Sequence, residues 1–379
     1  MPLEGLRQSL AALIGGMRVG EQLGGWELVH IDVDESMAYA FERAGERLEI
    51  SLSERDAGVP HFAQSAYFNV SYSVSRLPGK ELSDDARELV AAVAARIAER
   101  DQGRAARRLA TVQPASSKGE IREIRVEHLL CPTSIEGDSY YTANPYVGCL
   151  IGCSFCYAQP RVKVIRRMAG FPDLDWGRFV TVKINAAELL AQELERRPLR
   201  PVVFSPLVSD VYQPIERKLG VTRACLEVLA ERKVQSYLLT RSALVERDVD
   251  VFQAIPDATV GFSVPTDIDA VAKAYEPRAA LISQRFAILR KLRAAGVRTV
   301  AVIQPLLHMD VENLVARLAE ACDLIRVDVY RPPALGGAPL VSHNAAIPEP
   351  PADQAALRER IIEAAERRGL SLWTRHVPM

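Results

Sequence analysis

The sequence predicts an α/β protein in two parts: a small α+β unit, then a partial barrel of six strand-helix units. Three observations lead there. The first hundred residues carry several segments of alternating polar and apolar side chains, followed by one amphipathic helical pattern. From about Glu120 short apolar runs alternate with helical segments, which is the signature of a parallel sheet with helical crossovers. The 379 residues, 48% hydrophobic and 25% charged, are enough for two domains or one large barrel with an extension.

The elements follow in order. After a short helical opening, GGWELVHIDVD, MAYAFER, ERLEISLSE and AYFNVSYSVSR read as strands, with breaks at Gly24-Gly25, Ala44-Gly45 and Ala57-Gly58. Ser83, Asp84 and Asp85 supply cap chemistry and an acidic first turn for a helix from about Ser83 to Arg100. Asp101 to Lys118 is polar and broken by Gly and Pro. We therefore place an α+β accessory or substrate-recognition unit at 1–105, a linker at 106–125 and a barrel with a C-terminal extension at 126–379.

In the barrel part, Tyr140 to Val147 is taken as the first strand. PVVFS (201–205), QSYLLT (235–240), ATVGFSV (258–264), VRTVAVIQ (297–304) and LIRVDVY (324–330) are the other five. Helical patterns near 186–196, 221–232, 283–295, 311–322 and 352–368 lie between and after them. Six such units suit a partial barrel better than the closed eightfold one, with a doubly wound sheet as the alternative. Gly336 to Pro351, rich in Pro, Gly and Ala, reads as a loop over one barrel mouth.

Charge and hydropathy exclude some functions. Forty-seven Lys plus Arg against 48 Asp plus Glu leave a net charge of −1, so no global pull toward nucleic acid or anionic membrane exists. The basic runs GRAARR (103–108) and RVKVIRR (161–167) read as solvated faces. Apolar runs such as Ala186 to Leu190 fall far short of a bilayer span, and MPLEGLRQSL lacks a signal-peptide core, so a cytoplasmic protein is expected.

Three of the six cysteines, Cys149, Cys153 and Cys156, stand in a Cys-x3-Cys-x2-Cys spacing within one Gly-containing loop. In a reducing compartment that grouping points to metal or redox chemistry. Thiolates are soft ligands for zinc and for iron–sulfur clusters. Zinc would need a fourth ligand, for which only His128 and Cys131 precede the group at a distance. Three ligands on a four-iron cluster leave one iron open. Cys225 and Cys322 fall in helical patterns and read as core residues.

NPYVGCLIGCSFCYAQP (144–160) resembles the cluster loop of the radical S-adenosylmethionine superfamily, with Phe155 before and Tyr157 after the third cysteine. With KINAAELLAQEL (183–194), SDVYQPIER (209–217), LLTRSALVERD (238–248) and YEPRA (275–279), the match narrows to the spore photoproduct lyase-like branch, over roughly 130–330. The resemblance implies a partial (β/α)6 radical-SAM barrel. It implies a [4Fe-4S] cluster on Cys149, Cys153 and Cys156, with S-adenosyl-L-methionine chelated to the open iron. It further implies reductive cleavage of that cofactor to a 5′-deoxyadenosyl radical, driven by an external electron donor of flavodoxin or ferredoxin type.

By the same resemblance, Ser209, Arg241 and Ser263, at the ends of successive strands, contact the methionine portion. A guanidinium suits its carboxylate. Each serine reads equally as a strand-end capping hydroxyl. Tyr157 lines the adenine side or is simply a packed aromatic. Glu276 and Arg278 suit ribose and carboxylate contacts, or an ion pair capping the helix that begins near Ser283. Lys183 and Asn185 match a family feature without an assigned role.

Spore photoproduct lyase depends on a hydrogen-donating cysteine, and matching its motif to Ser209-Asp210 places Leu207 there instead. With the neutral charge, this argues against a DNA lesion as substrate and favours a peptide or small biosynthetic intermediate. Nucleic-acid repair or modification, and a non-catalytic metal-binding module, are the alternatives. Cys131, just before the first strand, is a candidate hydrogen donor; Tyr330 and Arg331, beyond the sixth, are candidate substrate-side residues. His308 is a lone loop histidine. A strand-rich N-terminal unit suggests uptake of a leader peptide by strand addition.

Overall fold

The structure is a computed structural model. It describes residues 17, 19–33, 37–54, 63–64, 68–75, 83–109, 120–135, 138–159, 162, 166, 174–204, 208–330, 342, 344, 346–347 and 349–374. The chain divides into two compact units: Leu3–Ala115 with Lys163–Asp173, and Met1–Pro2 with Ser116–Val162 and Leu174–Met379.

In the N-terminal unit, β1 (Gln22–Leu23), β2 (Trp26–Val33), β3 (Met37–Arg43), β4 (Glu46–Glu54), β5 (Ala63–Gln64) and β6 (Phe68–Ser75) form one antiparallel sheet, ordered β1-β2-β3-β4-β6-β5. The breaks at Gly24-Gly25 and Ala44-Gly45 are two-residue hairpin turns. Gly24 and Gly25 have φ of 58° and 80°, Ala44 and Gly45 50° and 82°, the doubly positive pattern whose twist matches that of the strands. The proposed break at Ala57-Gly58 lies outside the described residues. Both edge strands are two residues long, a common protection against edge pairing.

Helix α1 (Asp84–Leu109) covers this sheet. Ser83 caps it, its Oγ accepting from Ala86 N at 3.3 Å. Ala86, Leu89, Val90, Val93 and Ile97 recur at three- and four-residue spacing and pack on Trp26, Leu28, Tyr39, Phe41, Leu48 and Ile50. The helix continues past Arg100 through DQGRAARRL, a segment read from sequence as linker. Its Ala, Arg, Gln and Leu residues favour helix and outweigh the single Gly103.

The C-terminal unit is built on an open eight-stranded sheet. Its strands are β8 (Cys131–Ile135), β9 (Asp138–Thr142), β12 (Val202–Phe204), β13 (Ser236–Thr240), β14 (Thr259–Ser263), β15 (Arg298–Ile303), β16 (Leu324–Val327) and β17 (Ser371–Leu372). From β9 to β17 the pairing is parallel throughout, and β8 adds antiparallel to β9 at the far edge. Crossovers are supplied by α2 (Ala186–Arg196), α3 (Glu216–Leu219), α4 (Val221–Arg232), α5 (Val249–Ala254), α6 (Asp269–Tyr275), α7 (Ile282–Ala294), α8 (Val311–Ala321) and α9 (Gln354–Arg367). The main core lies where these helices pack on alternate strand residues such as Phe204, Leu238, Val260, Phe262 and Ile303.

The sheet does not close, but it curls. Tyr237 on β13 and Trp373, next after β17, meet edge to face with ring centroids 5.5 Å apart. Those strands are separated by four steps in the sheet order, or about 19 Å if flat at the usual strand spacing. Only a concave inner face lets their side chains meet.

The segment read as one first strand, Tyr140 to Val147, is two. Strand β9 makes its last ladder bond at Ala143 N to Val203 O, 3.1 Å, and Pro145 has no N–H with which to continue. The Asn144 side chain turns the chain by accepting from Tyr146 N at 3.0 Å. Residues Tyr146–Val147 then form β10 in a separate sheet, ordered β10-β11-β7, with β11 (Phe179–Lys183) and β7 (Glu120–Ile124). That departure places the cysteine loop directly after β10. Among the described residues no helix is long and apolar enough to cross a membrane.

Candidate functional site

The cysteine loop is fastened at its first turn by backbone geometry and by one amide side chain. Gly148 has φ +86°, and a Cβ there would stand 2.5 Å from the Phe179 ring. Gln213, fully buried, donates from Nε2 to Gly148 O (3.2 Å) and accepts at Oε1 from Leu150 N (2.9 Å), bracketing Cys149. Ser209 Oγ also donates to Gly148 O (2.7 Å) and accepts from Gln213 Nε2 (2.6 Å). Asn144 Nδ2 reaches Ser209 O at 3.2 Å. Gly148 N, Gly148 O and Leu150 N are thus held by the segment that follows β12.

Cys149, Cys153 and Cys156 come together in one apolar knot with Ile151, Phe155, Ala274, Tyr275 and Leu307, and Tyr330, Trp176 and Ile347 pack around it. Burial pushes the Cys149 thiol up to about 12, although the backbone N–H groups of Asp210 and Ile151 work against the rise. Cys153 and Cys156 are also raised by burial, and there the Arg241 guanidinium is the main opposing influence. The donor set fits a metal–sulfur cluster: three soft ligands on one loop, N–H dipoles on two sulfurs, and a fixed cation beside two of them. Among the described residues no three Cys, His, Asp or Glu side chains converge on a position for a single metal ion. A cluster ligated by one sulfur per iron does not require that convergence.

Arg241 follows β13 directly. Its Nε donates to Glu276 Oε1 at 2.7 Å and its guanidinium lies 5.6 Å from the centre of the Phe155 ring. Glu276 Oε2 accepts from Arg285 Nη2, and Arg285 donates further to Ser263 O (2.6 Å) and Ala280 O (3.0 Å). The ion pairs of Glu276 are therefore with Arg241 and Arg285, not with Arg278. Arg278 instead donates to Gly177 O at 2.7 Å, where the backbones of Gly152 and Gly177 touch. The two Nη groups of Arg241 have no hydrogen-bond partner among the described residues, so they are available to an anion beside the cysteines.

Asp210 orders the strand ends, with Oδ1 accepting from Tyr212 N (2.9 Å) and Thr240 Oγ1 (2.7 Å), and Oδ2 from Arg241 N (2.8 Å). Burial nevertheless raises its carboxyl. Ser263 Oγ bonds only weakly, to Gln304 O at 3.4 Å. Tyr157 is half-buried after the third cysteine. Cys131 opens β8 opposite Thr142, which puts it on the inner face shared with Tyr140 but outside the cysteine knot. Tyr330 packs against that knot, whereas Arg331 and Leu207 lie outside the described residues. Of the loop read at 336–351, Ile347 reaches the knot, and Glu349 O lies 2.5 Å from His308 Nε2.

Sequence reasoning missed Gln213, Asn144 and Arg285. Gln213 stands inside the quoted SDVYQPIER segment, four residues after Ser209, yet an isolated buried amide has no periodic signal. Asn185 clamps Val126, accepting from its N (3.0 Å) and donating to its O (2.8 Å). Neighbouring Lys183 has its ammonium lowered from 10.5 to about 8 by burial, with Cys131 and Cys225 opposing the shift. The native chain thus binds fewer protons than the unfolded one between those values, and stability rises with pH across that window. Lys183→Met should raise Tm by a few degrees at pH 7 and flatten the rise, as thermal melts from pH 7 to 10.5 would record.

Fold and site together define an α/β protein with a buried three-cysteine loop at the C-terminal ends of parallel strands. No protein-family model matches the chain. It belongs to the family of the uncharacterized Methanocaldococcus jannaschii protein MJ0683, with 30% identity over 202 residues, 53% of this chain and 73% of that one. The uncharacterized Mycobacterium bovis protein Mb2609c is 28% identical over 173 residues, which are 44% of this chain and 49% of that one. Among solved structures, a spore photoproduct lyase complexed with dinucleoside spore photoproduct aligns with TM-score 0.48 and 15% identity, covering 66% of this chain and 80% of that one.

Proposed function

We propose that the chain is a radical S-adenosylmethionine enzyme in which Cys149, Cys153 and Cys156 hold a [4Fe-4S] cluster. The observation carrying this reading is the gathering of the three cysteines of a Cys-x3-Cys-x2-Cys loop in one buried knot, with the Arg241 guanidinium beside Cys153 and Cys156. When bound, such a cluster supplies the electron that cleaves the sulfonium of S-adenosyl-L-methionine to methionine and a 5′-deoxyadenosyl radical, which abstracts hydrogen from substrate.

The protein's part is positioning and exclusion of water. Gln213 and Ser209 hold the Cys149 turn in shape. Glu276 fixes Arg241 so that its free Nη groups receive the cofactor carboxylate. Ile151, Phe155, Tyr275 and Leu307 keep the sulfurs dry. Glu276 and Ser209 act through Arg241 and the loop rather than as direct cofactor contacts. We assign the substrate to peptides or small biosynthetic intermediates, because a net charge of −1 provides no phosphate-neutralising surplus. The electron comes from a small external carrier of flavodoxin or ferredoxin type, in the cytoplasm.

Anaerobic reconstitution with iron and sulfide, then reduction in the presence of S-adenosyl-L-methionine, should release 5′-deoxyadenosine. Cys153→Ala should release none. Full cofactor cleavage by that variant would overturn the assignment.

A further inference from the structure

The inner face of the curled sheet carries polar groups that the chemistry above does not use. Tyr237, 3% exposed, has its Oη buried without a hydrogen-bond partner among the described residues, and so has Nε1 of Trp373, whose ring packs edge to face against it at 5.5 Å. A buried donor left unsatisfied is a cost to the fold that phenylalanine would avoid at either position. Two such donors on touching rings point to a partner that arrives from outside.

The surroundings define its chemistry. The Arg326 guanidinium lies 5.0 Å from the centre of the Trp373 ring and donates from Nε to Asp328 at 2.5 Å, so the charge of this patch is internally paired. Val203, Leu239 and Tyr140 complete an apolar and aromatic wall. Tyr157, adjacent to Cys156, is among the groups acting on the Tyr237 phenol, which burial holds well above its usual range as a neutral donor. Among the described residues an anion finds no uncommitted cation in this patch. A neutral acceptor finds two N–H or O–H donors and flat walls.

We infer that this face is a substrate subsite for a neutral, amide-bearing group, whose carbonyls accept from Tyr237 Oη and Trp373 Nε1. The inference deepens the radical-enzyme reading and rests on it only for treating the bound group as substrate.

The test uses full-length protein, as purified and after reconstitution, with Trp26 and Trp176 replaced by phenylalanine so that Trp373 is the sole indole reporter. N-acetylphenylalaninamide should change its emission saturably, and Tyr237→Phe should weaken that binding at least tenfold. The same substitution should raise Tm of the ligand-free chain, because it removes an orphaned hydroxyl; a hydroxyl bonded within the fold would give a fall. A lowered Tm, equal affinities in the two proteins, no saturable change, or tighter binding of uridine 5′-monophosphate would each overturn the subsite. Amide binding with these properties, together with no 5′-deoxyadenosine from the reconstituted chain that keeps Trp26 and Trp176, would support the subsite while removing the radical reading.

Discussion

Glu276→Gln should destabilise the chain by about 3–5 kcal/mol, the usual consequence of removing one partner from a buried ion pair. The Glu276 and Arg285 side chains are fully buried and Arg241 is 16% exposed, so one carboxylate serves two guanidinium groups almost out of water. An amide cannot neutralise either cation, and its NH2 would face a donor. Arg285 is additionally tied to Ser263 O and Ala280 O and cannot withdraw to solvent. Arg241, the more exposed, should be the one to move, which takes the cation away from Cys153 and Cys156. Urea unfolding of the unreconstituted variant should show the lost stability, and its iron content after reconstitution should fall with it. Arg285→Met added to Glu276→Gln should recover part of the loss, because it removes one of the two stranded charges. A wild-type unfolding midpoint for Glu276→Gln would show that the triad contributes nothing.

The parallel sheet was legible because buried strands leave contiguous apolar runs, and all five runs from PVVFS to LIRVDVY contain observed strands. Hairpin turns and the Ser83 cap were legible through local residue chemistry. The split of Tyr140–Val147 was not, since it depends on where Pro145 falls relative to the hydrogen-bonding partner β12. The antiparallel β8 was hidden in a polar sequence, CPTSI, with no alternation to mark it. At the site, the cysteine spacing marks Cys149, Cys153 and Cys156 as candidate ligands, because three cysteines close in sequence can wrap one small cluster. The partners of Glu276 lie 35 and 9 residues away, and chemistry alone suggested Arg278, two residues on. Long-range pairing of charges is decided by the packing of α7 against β14, which no local pattern reports.

Gly152→Ala should disable the cysteine loop, and the cause can be separated from ordinary backbone strain. Gly152 has φ +70°, and a Cβ there would lie 2.7 Å from Arg278 Nη2 and 3.0 Å from the Cα of Gly177. Gly177 is reciprocally tight, its own Cβ position lying 2.9 Å from the Gly152 Cα. The guanidinium end can shift, but the opposing backbone cannot, so the segment between Cys149 and Cys153 must give way. A left-handed conformation costs an alanine about 1–2 kcal/mol, and overpacking adds about 1–3 kcal/mol. Gly220→Ala is the control: its φ is +65° with nothing within 4 Å of the added carbon, so only the conformational cost applies. Denaturant unfolding should therefore place Gly152→Ala well below Gly220→Ala in stability. After anaerobic reconstitution Gly220→Ala should take up iron as the wild type does, while Gly152→Ala should lose most of it. Adding Arg278→Ala should not restore uptake, because the Gly177 backbone contact remains. Restoration would mean that the arginine, rather than the meeting of the two glycine backbones, sets the position of the cysteines.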